Sequence, residues 1–271
     1  MKNKIMVLVA CLVCGGCCFN ASASKKGIDS NSVMSYKDDT ELHLAIRNGD
    51  VKKTLELVKY ELFKPNEVGW YPIHELVSSK AIKSEDQKNL LDVMLVLYKA
   101  LGINVDSVKT DKGQTALFLG LANQNFDIVK YLIENGSDVK QEFLKGSNIL
   151  MLAARFGANN EFLTWLQGIT GIDVRCMNKD NWTMIHFAAV GDNVEAIDFY
   201  LQKGGKISSK QKNLQTALHI AAYHNNIDAV KFLIENGIDI NIEDNSGRLA
   251  EDLGNSQIKE IIQNFRKAMK K

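Results

Sequence analysis

One short pattern returns six times along the chain, and it limits the fold more than any other feature. The copies read Thr40-Glu-Leu-His-Leu-Ala45, Tyr71-Pro-Ile-His-Glu-Leu76, Thr115-Ala-Leu-Phe-Leu-Gly120, Asn148-Ile-Leu-Met-Leu-Ala153, Thr183-Met-Ile-His-Phe-Ala188 and Thr216-Ala-Leu-His-Ile-Ala221. Their aligned apolar residues, Leu42, Ile73, Leu117, Leu150, Ile185 and Leu218, are 31, 44, 33, 35 and 33 residues apart. A unit of about 33 residues cannot bury an apolar face alone, so neighbouring copies must stack and share a core. The chain has 271 residues and is 45% apolar, enough for such a core.

The local chemistry of each copy reads as two short helices. Thr ahead of the apolar run is a helix-capping residue. Leu218, Ala221 and Ala222 then fall at i, i+3 and i+4, a narrow face whose alanines let a second helix approach closely. Val230, Leu233 and Ile234 repeat that spacing, and Asn236-Gly237 ends the helix because Gly accepts the left-handed cap. Helices this short are marginal in water, so stacking has to hold them.

The best copies, Gly113-Gln-Thr-Ala-Leu with Ile128-Val-Lys-Tyr-Leu-Ile-Glu-Asn-Gly-Ser-Asp-Val139 and Thr216–Ala222 with Val230–Asn241, resemble the ankyrin repeat. The resemblance implies an all-α solenoid of about six helix-turn-helix repeats with β-turn fingers. The expected repeats are 38–66, 67–109, 110–142, 143–177, 178–210 and 211–243, then a partial copy at 244–254 and a capping helix at 255–271. Ile258, Ile261, Ile262 and Phe265 give that last helix its apolar face. Three departures stand out. Copy two carries 11 extra residues around Ser78–Lys88, expected as a loop, or as a loop plus a longer second helix through Leu90–Ala100. Copy four lacks a tidy second helix, with Glu161–Leu166 supplying the apolar face. Copy six has Leu214 where the turn Gly belongs.

The N-terminus reads as a secretory signal. Lys2 and Lys4 precede the apolar run Ile5–Val13, and Ala21-Ser22-Ala23 offers a cleavage site after Ala23. A polar linker is expected at 24–37. The apolar part, extended to Phe19, is short for a membrane span of ~20 residues. Leu8-Val9-Ala10-Cys11 also resembles a lipobox, so membrane attachment is expected only if Cys11 is lipidated. The expected location is therefore periplasmic or secreted, with a lipoprotein as the alternative. Cys11, Cys14, Cys17 and Cys18 all precede Ala23, which leaves Cys176 alone and excludes an internal disulfide in the mature chain.

No catalytic constellation is evident. Neither H-E-x-x-H, G-x-S-x-G nor a phosphate-binding Gly loop occurs. His43, His74, His186 and His219 all hold the repeat's histidine position, which the resemblance assigns to tying adjacent fingers together. Separate repeats lie roughly 10 Å apart, too far for one zinc shell. Thr115, Thr183 and Thr216 belong to the same structural motif. Cys176 stands where the family has a small packed Ala. The formal net charge of +1 gives no footprint for nucleic acid. No cofactor, metal, nucleic acid or small-molecule substrate is expected, and the chain reads as a monomer. The resemblance implies a protein partner held on the concave face of fingers and first helices. On that mapping Trp70, Arg155, Phe156, Trp182, Tyr223 and His224 are the contact candidates, because Trp, Tyr and Arg dominate binding hot spots. Packing against neighbouring repeats is the competing role for the tryptophans, and Trp165 is expected in the core. The partner is expected to be a host protein, or alternatively an enzyme of the same bacterium that this chain protects or helps assemble.

Overall fold

The computed structural model describes residues 39–269. The signal segment, its cleavage point at Ala23, the lipobox at Cys11 and the whole of the linker at 24–37 lie outside those residues. The chain divides into two compact units, one ending at Ser137 and one beginning at Asp138.

The first unit holds three helix pairs. They are α1 (Glu41–Arg47) with α2 (Val51–Glu61), α3 (Pro72–Ser78) with α4 (Ser84–Ala100), and α5 (Ala116–Ala122) with α6 (Phe126–Glu134). First helices pack on first helices, α1 on α3 on α5, and second on second, α2 on α4 on α6. The second unit repeats this with α7 (Ile149–Arg155), α8 (Asn160–Thr170), α9 (Met184–Val190), α10 (Val194–Gln202), α11 (Ala217–His224) and α12 (Ile227–Glu235). A 3-10 turn at Ala250–Asp252 and α13 (Ser256–Ala268) close it, with Ile258 and Ile262 fully buried. Among the described residues there are helices and turns but no strand. The six aligned aliphatics, Leu42 to Leu218, are at most 1% exposed. Each such side chain contributes roughly 1.5–3 kcal/mol of burial.

Close approach depends on small residues. Ala153, Ala154, Ala188, Ala189, Ala221 and Ala222 are wholly buried between the helix rows. A Cβ on Gly191 would sit 2.0 Å from the Arg155 carbonyl oxygen, so α7 and α9 touch there backbone to backbone.

The same turn precedes each first helix from copy two onward. In the first unit Asn66 N–H donates to Trp70 O and Thr110 N–H to Gln114 O, both at 2.9 Å. In the second unit Phe143, Asn178, Gln211 and Asp244 donate to Ser147, Trp182, Gln215 and Arg248 at 2.8–3.0 Å. The third turn residue always has positive φ, at Gly69, Gly113, Gly146, Asn181, Leu214 and Gly247. Leu214 therefore keeps the turn at φ +60°, a conformation that costs a non-glycine residue ~1–2 kcal/mol.

Second helices are tied back by side-chain amides. Asn193 Nδ2 donates to Ala154 O and Ala158 O at 3.0 and 2.9 Å, while its Oδ1 caps α10 by accepting from Ala196 N–H. Asn226 Nδ2 donates to Ala189 O and Val190 O at 2.7 and 2.9 Å. In the first unit Gln87 Nε2 does the same to Leu76 O and Ser79 O at 3.0 and 2.6 Å.

One open expectation is decided and two are corrected. The insert of copy two takes the second of its two expected forms, a short loop at 79–83 followed by a lengthened second helix, α4, which begins at Ser84, inside the polar stretch, and runs 17 residues. Glu85 and Asp86 occupy its first turn, where negative charge is favoured by the helix dipole. Copy four has a complete second helix, α8, capped by Asn159 and ended by left-handed Gly171. Its Thr and Gly content weakens the local signal, and burial of Phe162, Leu163 and Leu166 overrides that. Trp165 is only half-buried, with its ring 5.5 Å from Phe162, because it lies at the edge of the α8 core face.

Candidate functional site

The repeat histidines are structural in their geometry. His43 Nε2 bonds Trp70 O at 2.8 Å and His74 Nε2 bonds Val108 O at 3.1 Å. His186 Nε2 bonds Gln215 O at 3.3 Å and His219 Nε2 bonds Arg248 O at 3.2 Å. In each case the oxygen belongs to the next copy's turn region. On the other side of the ring, Nδ1 accepts from the backbone N–H of Tyr71, Thr183 or Thr216 at 3.1–3.3 Å. Thr183 and Thr216 also place their hydroxyls 3.1 and 2.9 Å from Nδ1. Thr115 caps α5 with its hydroxyl, accepting from Phe118 N–H. Only a neutral imidazole protonated on Nε2 satisfies both sides. Burial accordingly lowers His74 and His186 to about 4, outweighing the bonds that favour the cation. It also lowers His43 and His219.

Trp70 lies in the first unit. It is half-buried, 6.5 Å from the His74 ring in an edge arrangement, and its carbonyl serves His43. It does not line the cleft described next.

The second unit brings three of the contact candidates together. Trp182, Tyr223 and His224 line one open cleft of about 220 Å³ with Gln215, Ile220, Arg248 and Leu253. Trp182 has two roles. One side of its ring packs on Phe187 at 5.5 Å and His186 at 5.7 Å, and the residue also borders the cleft. Tyr223 is 65% exposed at the end of α11, with its ring edge-on to His224 at 5.2 Å. Arg155 is exposed at the end of α7, its guanidinium 5.6 Å from the Phe156 ring. Phe156 is half-buried and is not a cleft-lining residue. Arg155 does not line the cleft, but it holds the same repeat position as Tyr223, five residues after its copy's buried aliphatic, in the packed row α7, α9 and α11. Burial lowers the His224 imidazole, and the positive charge of Arg155 lowers it further.

Arg248 and Leu253 were not apparent from sequence as site residues. Arg248 is held by Asp244, whose side chain is fully buried. Asp244 Oδ2 accepts from Arg248 Nε and Nη2 at 3.1 and 2.8 Å and from Gln215 Nε2 at 3.2 Å. Its Oδ1 accepts from Ser246 and Arg248 N–H. Burial pushes the Asp244 carboxyl up, and these donors more than reverse that, holding it well below the carboxylate range. A buried carboxylate thus fixes two polar residues of the cleft wall. The Asp-x-x-x-Arg spacing within a finger carried that signal.

Cys176 is half-buried, accepts a bond from Asn148 Nδ2 at 2.9 Å, and has its thiol pushed up by burial. That is the reverse of what a nucleophilic cysteine needs. Among the described residues no three His, Cys, Asp or Glu side chains converge in a way that would hold a metal ion. No helix among them is long and apolar enough to cross a membrane.

The family model for ankyrin repeats (three copies) matches residues 8–143 and again 150–244. The chain belongs to the ankyrin-repeat family. An ankyrin repeat protein of Rickettsia felis is 28% identical over 109 residues, covering 40% of this chain and 36% of that relative. The chain thus spans only about a third of that relative's length. Among solved structures, the ankyrin repeat domain of human ASB11 superposes with a TM-score of 0.62 at 18% identity, over 84% of this chain and 98% of that one. A chain of the complex between a predatory endopeptidase from Bdellovibrio bacteriovorus and an immunity protein gives a TM-score of 0.54 at 26% identity. That match covers 73% of this chain and 99% of the other. Ankyrin repeats are protein–protein interaction modules, and the all-helical repeat pairs of this chain are built in that way.

Proposed function

We propose that this chain is an exported, non-enzymatic protein-binding module that holds a protein partner at the cleft of its second unit. The observation that carries this reading is the juxtaposition of Trp182 and the exposed Tyr223 around one cleft, with exposed Arg155 at the corresponding position of α7 in the same row of first helices. Exposed aromatic and Arg side chains gathered at a concavity are the composition of binding hot spots. The test is affinity capture with the full chain, beside Tyr223→Ala and Tyr223→Ala/Arg155→Ala variants whose folding is checked by circular dichroism. A protein retained by the wild type and lost by the folded variants supports the reading. Retention of the same proteins by all three would refute it.

The likeness to the endopeptidase–immunity protein complex favours a partner inside the same bacterium over a host protein. On this reading the chain acts in the periplasm as an accessory or protective protein for a bacterial enzyme. Capture from periplasmic extract and from host lysate, run side by side, separates the two sources. Export through residues 1–23 predicts a mature chain beginning after Ala23. Lipid anchoring predicts instead that Cys11→Ser releases the protein from membranes.

A further inference from the structure

The two units supply an internal comparison at one repeat position. Arg47 and Arg155 each lie five residues after the buried aliphatic of their first helix, Leu42 and Leu150. In the first unit the following copy places Glu75 two residues after Ile73. Arg47 Nε and Nη2 donate to the two Glu75 carboxylate oxygens at 2.9 Å each, and Nη1 donates to Asp39 at 2.7 Å. That arginine is sheltered, with its side chain 13% exposed.

In the second unit the position two residues after Ile185 is Phe187, which is buried against Trp182. Arg155 therefore meets no carboxylate from the next copy. No carboxylate lies within ion-pair reach of its guanidinium among the described residues. The first helices of this unit, α7, α9 and α11, contain no Asp or Glu at all. The other arginine at the cleft, Arg248, is already neutralised by Asp244. An exposed, unbalanced arginine thus ends α7, on the same row of packed first helices as Tyr223, which lines a cleft of about 220 Å³. For scale, a cavity of about 150 Å³ accepts a benzene ring. The cleft has room for one large apolar side chain.

We propose that the partner segment seats one apolar side chain between Trp182 and Tyr223 and presents an adjacent Asp or Glu to Arg155, as Glu75 is presented to Arg47 within the chain. The proposal rests on the protein-binding reading above and adds the chemistry of the segment. A bidentate guanidinium–carboxylate pair fixes orientation as well as charge, and at an interface it discriminates against uncharged sequences.

The test uses two pools of fluorescein-labelled nonapeptides with a Leu, Phe or Tyr anchor, one with Glu at the flanking positions and one with Gln. Binding to the full chain is followed by anisotropy at low salt. The Glu pool is expected to bind about tenfold tighter. The gap should narrow with added salt and close in Arg155→Gln, while Arg155→Lys keeps part of it. Tyr223→Ala should weaken both pools together. Equal binding of the two pools overturns the carboxylate assignment and leaves the protein-binding reading standing. A Glu preference that survives Arg155→Gln overturns the role of Arg155. Absence of binding by either pool also overturns the proposal, whereas the capture experiment judges the broader reading separately.

Discussion

Lowering the pH from 7 to 5 should weaken this fold through its repeat histidines. His74 and His186 have pKa values of about 4 in the folded chain, against 6.5 for an ordinary histidine, because burial disfavours the imidazolium. Protonation would also remove the Nδ1 acceptor that receives Tyr71 N–H or Thr183 N–H. The folded-state pKa is depressed, so the unfolded chain binds the proton first. The stabilisation is complete above about pH 6.5 and is lost progressively as pH falls toward 4. By pH 5 the linkage amounts to about 2 kcal/mol for each of these histidines. Two of them together reach a sizeable share of the ~5–15 kcal/mol that holds a typical protein folded. His43 and His219 shift in the same direction and add to the effect. Urea melts at pH 7, 6 and 5 would measure it, with amide exchange reporting each unit separately. The control is His74→Gln or His186→Gln. Each variant should be less stable at pH 7, yet lose about 2 kcal/mol less than wild type on going to pH 5. A wild-type midpoint unchanged between pH 7 and 5 would refute the argument, and so would Gln variants that keep the full acid sensitivity.

Three glycines should respond differently to one substitution, as read from denaturant midpoints. Gly113→Ala meets open space but has φ +73° and should cost about 1 kcal/mol, whereas Gly168→Ala, in open space on α8, should stabilise by about 0.5–1 kcal/mol. Gly191→Ala drives a methyl into the Arg155 carbonyl and should cost the most, at least ~2 kcal/mol; a neutral result would mean α7 and α9 are not in backbone contact. Asn193→Ala removes the α10 cap and strands two buried carbonyls, a loss of about 2–3 kcal/mol by urea titration, and a loss below about 0.5 kcal/mol would show that water replaces the amide.

Much of the fold is visible in the periodic apolar residues, because burial acts directly on them. Leu42, Ile73 and their four counterparts recur and are all buried, and the turn glycines recur with them. The polar residues that hold the copies together follow the same period but look like loop residues. Asn66, Thr110, Asn178, Gln211 and Asp244 each lie five residues ahead of the first-helix cap, and all are buried. Asn193 and Asn226 open second helices and also reach back to the preceding copy. Such residues are chosen by carbonyls that neighbouring copies leave unpaired, and no single copy displays that need. The candidate site is less legible for a related reason. The exposed position of Tyr223 follows from its place at the end of a first helix. The state of Arg155 does not, because it is decided by the residue that the next copy offers in return. Glu75 answers Arg47, while Phe187 leaves Arg155 open. What each repeat exposes is therefore a property of adjacent pairs of copies, and a change at residue 187 would alter the binding face without altering any residue on it.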